Sequence, residues 1–70
     1  MKTYRVFFIN KDSTRVYAES SKYVVGAGNE IFLCYYDKDD NIVATFNAKY
    51  VIGDINMSTQ TGQWIKIEEN

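Results

Sequence analysis

The sequence predicts a small all-β protein, an antiparallel barrel or sandwich of five or six short strands and of SH3-, OB- or Sm-like size. Three observations predict it. Apolar residues alternate with polar ones at a period of two rather than 3.6. Turn-forming clusters interrupt that alternation at short intervals. Aromatic residues are frequent (six Tyr, four Phe and one Trp in 70 residues), and they suit a pleated, half-buried surface. A 46% hydrophobic share sets the chain apart from disordered sequences. Seventy residues make one domain, residues 1–70, whose core alone supplies no more than about 3–5 kcal/mol net.

The elements follow in order. Thr3–Ile9 places Tyr4, Val6 and Phe8 on one face and Arg5, Phe7 and Ile9 on the other. Asn10-Lys11-Asp12-Ser13 supplies turn formers, and Thr14–Glu19 alternates Val16 and Ala18 with Arg15, Tyr17 and Glu19. Tyr23–Val25 is a short β-branched piece, closed by Gly26-Ala27-Gly28-Asn29, where glycine can take positive φ. Glu30–Asp37 is apolar on both faces and therefore reads as a central strand. Asp37–Asn41 is a polar hairpin loop into Ile42–Asn47. One helical turn fits around Asn47–Lys49, with Asn47 as its N-cap. Tyr50–Ile55 carries Gly53 as a bulge or close backbone approach. Thr59–Gly62 is the final turn, before Trp64–Glu68. Proline is absent, so edge strands need charge, bulges or a partner to protect them.

Composition argues against most chemistry. The chain has no histidine and one cysteine, Cys34. That removes the commonest general base, the Ser-His and Cys-His nucleophile pairs and any thiolate metal centre within one chain. Cys34 reads as a buried small hydrophobe. Asp37-x-Asp39-x-Asn41 matches the opening of a calcium loop, but Ile42 stands where glycine is required and Ala48 where a carboxylate is. Gly26-x-Gly28 lacks the third glycine and the helix of a nucleotide fingerprint. No catalytic residue, cofactor or metal is expected, and an enzyme is not.

Net charge is −1, and the eight basic residues (Lys2, Arg5, Lys11, Arg15, Lys22, Lys38, Lys49, Lys66) are spread singly. Nucleic-acid binding, which runs on clustered cations, is disfavoured unless the fold gathers some of them on one face. No apolar run reaches the length of a membrane span, and no signal peptide precedes Tyr4. The chain is therefore expected to be cytoplasmic and to have no membrane partner.

The aromatics remain. They exceed what one core needs, so Phe7, Ile9, Phe32, Tyr36, Tyr17 and Trp64 are expected on a second surface, covered by a barrel, a second copy or a partner; base stacking on them is a third reading, weakened by the acidic balance. Asp37, Asp39 and Asp40 supply an acidic rim. Asp54, between Gly53 and Ile55, reads as an outward-facing edge position or a contact residue. The candidate interaction residues are thus Phe7, Tyr17, Phe32, Tyr36, Asp37, Asp39, Asp40, Asp54 and Trp64.

The segment Tyr23–Ile55 combines the strand Ile31-Phe32-Leu33-Cys34-Tyr35-Tyr36-Asp37, an acidic turn and the return strand Asn41-Ile42-Val43-Ala44-Thr45-Phe46-Asn47. This pattern resembles small β proteins carried by phages and mobile elements of Gram-positive bacteria. The resemblance implies an accessory protein that blocks a host enzyme or defence factor, and it transfers no functional residues. Three readings stand side by side. The first is a non-enzymatic domain that binds a host protein. The second is an OB- or Sm-like barrel binding nucleic acid or nucleotides as a homo-oligomer. The third is a self-associating structural protein.

Overall fold

The computed structural model describes residues 1–59, and residues 61–64 by their backbone. The chain forms β1 (Lys2–Phe8), β2 (Ser13–Ala18), β3 (Ser20–Val25), β4 (Ile31–Tyr36), β5 (Ile42–Asn47), β6 (Val51–Asn56) and β7 (Thr61–Trp64). Single 3-10 turns lie at Ala27–Asn29 and Ala48–Tyr50. All pairings are antiparallel, in one sheet of order β2-β1-β6-β7 and another of order β3-β4-β5. The alternatives of barrel and sandwich thus resolve to two separate sheets.

β2 and β3 are nearly one strand that turns from the first sheet into the second at Glu19. There the Glu19 N–H donates to the Tyr36 carbonyl at 2.8 Å, so the corner is stitched to β4. Alternation aims Tyr4 and Val6 from β1, Val16 and Ala18 from β2, Leu33 and Tyr35 from β4 and Val51 from β6 at one core. Phe8, Tyr23, Ala44 and Phe46 pack around it. Aromatic pairs hold its centre: Tyr4–Tyr35 centroids are 5.0 Å apart and Tyr35–Phe46 are 6.1 Å apart, edge to face. Such pairs add about 0.5–1.5 kcal/mol each beyond the area they bury.

Turn chemistry explains the connections. Asn10 Oδ1 accepts from the Asp12 N–H at 3.1 Å, while Lys11 takes φ 73°. Asn47 caps the second 3-10 turn, its side chain accepting from Lys49 N–H at 3.1 Å, as its side-chain chemistry suggested. The turn spans Ala48–Tyr50 rather than Asn47–Lys49. In β6 the bulge sits beside Gly53: the register jumps from Phe7↔Gly53 to Phe8↔Val51, leaving Ile52 as the extra residue.

Sequence and structure part at two places, and a third expectation goes untested. β3 begins at Ser20 rather than Tyr23, because pairing with β4 recruits polar residues that have no strand signal of their own. β7 begins inside the expected Thr59–Gly62 turn, the reversal being made instead by Met57–Thr59. The expected strand Trp64–Glu68 lies, beyond Trp64, outside the described residues.

β4 is central in its sheet, as its two apolar faces required, and β3 and β5 are the edges. β3 carries Lys22, whereas β5 carries no charge. Its guard is a bulge at Val43, where the register passes from Tyr35↔Ala44 to Tyr36↔Ile42.

Candidate interaction surface

Because successive side chains of a strand point to opposite faces, the residues of β4 that alternate with Leu33 and Tyr35 face away from the core. These are Phe32, Cys34 and Tyr36. Registration places Val24, Lys22 and Ser20 beside them on β3, and Asn47, Thr45 and Ile42 on β5. Cys34 is buried at 5% exposure as the floor of this outer face, with Thr45 Oγ1 at 4.0 Å from its sulfur. Phe32 and Tyr36 flank it half-buried. Phe32 lies against Gly26, where an added Cβ would stand 2.7 Å from its Cε2; glycine therefore lets the ring settle over the backbone. Lys22 Nζ sits 5.4 Å from the Tyr36 ring centroid, a contact worth about 0.5–1 kcal/mol at an exposed site. Burial and the Cys34 thiol both push the Tyr36 phenol above its ordinary value. The β5 bulge leaves Ile42 59% and Val43 45% exposed. A face that is apolar along β4 and mixed on its flanks, with an aromatic at each end and an exposed aliphatic border at Ile42 and Val43, is thus turned to solvent.

The acidic loop closes one end of this face. Asp37 Oδ1 accepts from the backbone N–H groups of Asp39 (2.8 Å) and Asn41 (2.9 Å), and the Asp37 N–H donates to the Asn41 carbonyl at 2.9 Å. The hydrogen bonds from Asn41, and then from Asp39, hold the Asp37 carboxyl below its ordinary value. This residue builds the loop, and its oxygens are turned toward the loop's own donors. Asp39 and Asp40 are the exposed members, Asp40 at φ 62°. A shallow hollow of about 450 Å³ lies between the loop and β3, lined by Ser20, Ser21, Lys22, Tyr36 and Asp40.

Asp54 is neither outward-facing nor on an edge. β6 lies between β1 and β7, and Asp54 registers with Val6 on the core side. It is 7% exposed and accepts a 2.6 Å hydrogen bond from the Tyr35 hydroxyl. The bulge at Ile52 resets the alternation, and for that reason a simple parity count assigns Asp54 to the wrong face. Tyr4 and Tyr23 lie close enough to feel the same carboxylate. Burial first, and then Asp54, push the phenols of Tyr4 and Tyr23 up. Burial, the Asp54 hydrogen bond and the Asp54 charge push that of Tyr35 further still. The Tyr23 hydroxyl is buried with no hydrogen-bond partner among the described residues.

The expected second surface is in fact two. Phe7 and Tyr17 lie on the outer face of the other sheet, where Phe7 registers with Gly53 and Gly53 with Trp64. The same face carries Arg5 directly opposite Arg15, and Thr3 opposite Tyr17. Tyr17 is 56% exposed. Ile9 joins neither face. It lines an apolar groove of about 580 Å³ at the end of β1 with Phe8, Asn10, Asp12 and Tyr50. Sequence reading missed Ile42, Val43, Arg5 and Arg15. The bulge at Val43 has no signal in composition, and the arginines are ten residues apart along the chain, adjacent only through the β1–β2 hairpin.

Among the described residues no group of three His, Cys, Asp or Glu side chains is placed to hold a metal ion, and no helix is long and apolar enough to cross a membrane. Compared with protein-family models, with curated proteins and with solved structures, the chain matches none of them.

Proposed function

We propose that this chain is a non-enzymatic protein-binding domain whose contact surface is the outer face of β3-β4-β5. The observation that carries the reading is the exposed apolar border of Ile42 and Val43 beside Tyr36, with Phe32 at the other end of β4, on the side of the sheet away from the core. An apolar centre with aromatics and a charged rim is the usual anatomy of a protein contact, and Asp39, Asp40 and Lys22 supply the rim. A chain without histidine is poorly equipped for acid–base or nucleophilic work, which supports a role through binding alone.

The strand order supports a finer architecture. A first strand flanked by β2 and β6, a strand bent from one sheet into the other and a 3-10 turn before β6 together resemble small SH3-type barrels. Here the barrel is left open and β6 gains β7 as a neighbour. We propose further, from the sequence pattern of Tyr23–Ile55 alone, that the partner is a cytoplasmic host enzyme or defence factor.

Affinity capture from such a host's lysate tests the proposal, with the native chain beside a Tyr36→Ala/Ile42→Asp variant. One stoichiometric partner retained by the native chain and released by the folded variant is the expected result. Recovery of no stoichiometric partner, or equal recovery by both chains, refutes it.

A further inference from the structure

The second sheet carries an arrangement that the protein-binding reading leaves unused. Arg5 and Arg15 are direct cross-strand partners on the outer face of β1 and β2. Like charges directly opposite one another on a sheet are destabilising, because their Cβ atoms lie only about 5 Å apart. Arg5 turns one guanidinium nitrogen to the Ser13 hydroxyl at 3.1 Å, and among the described residues no carboxylate forms an ion pair with either arginine. Of the two acids that flank β2, Asp12 accepts from the Asn10 side-chain amide at 3.0 Å and Glu19 lies 3.5 Å from the amino group of Met1. Arg15 lines a shallow, open cleft of about 310 Å³ together with Thr3, Tyr17, Met57 and Ser58. Tyr17 is the exposed aromatic wall of that cleft.

We infer that this face binds single-stranded nucleic acid: the arginine pair takes a backbone phosphate, and Tyr17 stacks a base in the cleft. Each half follows from chemistry on this face. Two guanidiniums on neighbouring strands, neither in an ion pair with a carboxylate among the described residues, can each offer paired N–H donors to a phosphate. An exposed ring next to a cationic row is the recurrent platform for unpaired bases. A duplex hides the base faces that Tyr17 would use, and a bare polyphosphate has none.

The experiment is a fluorescence-anisotropy titration of a short labelled oligothymidylate against the full chain, run at several salt concentrations. Arg15→Gln and Tyr17→Ala variants are run alongside, with thermal melts of each. The native chain binds, and each variant weakens binding about fivefold or more. Arg15→Gln also flattens the log K against log salt slope by about 0.7. Its melting temperature stays level or rises, because the like-charge contact is relieved. That opposite movement of binding and stability separates a binding arginine from a structural one. The inference is overturned by absence of binding at low salt, or by binding that Arg15→Gln leaves intact. It is equally overturned if duplex DNA or tripolyphosphate competes as well as the single strand.

Discussion

Tyr35→Phe removes one oxygen atom from the centre of the molecule and leaves everything else in place. The Tyr35 ring is fully buried and keeps its contacts with Tyr4 and Phe46. What disappears is the 2.6 Å hydrogen bond to Asp54, a carboxylate with 7% of its surface exposed. A hydrogen bond to a charged group contributes about 1.5–3 kcal/mol, and a buried acceptor left without its donor bears its desolvation as well. We expect a loss of about 2–3 kcal/mol, a 30- to 150-fold fall in the folding equilibrium constant. A domain of this size has only about 3–5 kcal/mol to lose, so the variant should be partly unfolded in buffer.

Urea denaturation followed by circular dichroism measures the loss, with the variant stabilised by an osmolyte if its native baseline is short. Asp54→Asn removes the charge but leaves a carbonyl that can still accept from Tyr35, and it should cost less than Tyr35→Phe. The double variant should be less destabilised than the sum of the singles, by about 1 kcal/mol or more, since the two groups share one interaction. A Tyr35→Phe variant within about 0.5 kcal/mol of the native chain, or additive singles, would refute the reasoning.

Three further outcomes follow from the same structure. The folded-state values of Tyr4, Tyr23 and Tyr35 are raised above the ordinary 10.0. Their contribution to stability is therefore present below pH 10 and lost as pH rises above it, when the unfolded chain releases protons that the folded chain holds. For Tyr35 the slope reaches about 1.4 kcal/mol per pH unit; thermal melts from pH 8 upward should be level and then fall, and a level profile past pH 11 would refute this. Asp37 is shifted the other way, so carbon-detected NMR titration should find it ionising below 3.8. Any stability it adds is lost as pH falls through that folded-state value. Gly28→Ala meets no atom within 4 Å but must hold φ 69°. It should cost about 1 kcal/mol in urea denaturation, with Gly28→Asn costing less, because asparagine tolerates the left-handed region better.

The sequence by itself determined the class of structure and most of its strands. Period-two alternation is a local property, so Tyr4, Val6 and Phe8, and likewise Val16 and Ala18, could be assigned to a common face of their strand before any pairing was known. The apolarity of Ile31–Tyr36 on both faces marked β4 as central for the same reason, and the Asn47 cap was legible from side-chain chemistry. Only the tertiary structure decided which face each remaining residue joins. Bulges at Ile52 and Val43 each insert one residue, and past a bulge the parity count inverts. That one-residue reset carried Asp54 inward to Tyr35 and left both Ile42 and Val43 exposed at the border of the outer face. The partition of the aromatics between two opposite faces, and the meeting of Arg5 with Arg15, depend on strand pairing between residues distant in sequence. No local pattern encodes such pairing, and the surfaces proposed here to bind partners therefore appeared only once the two sheets were in place.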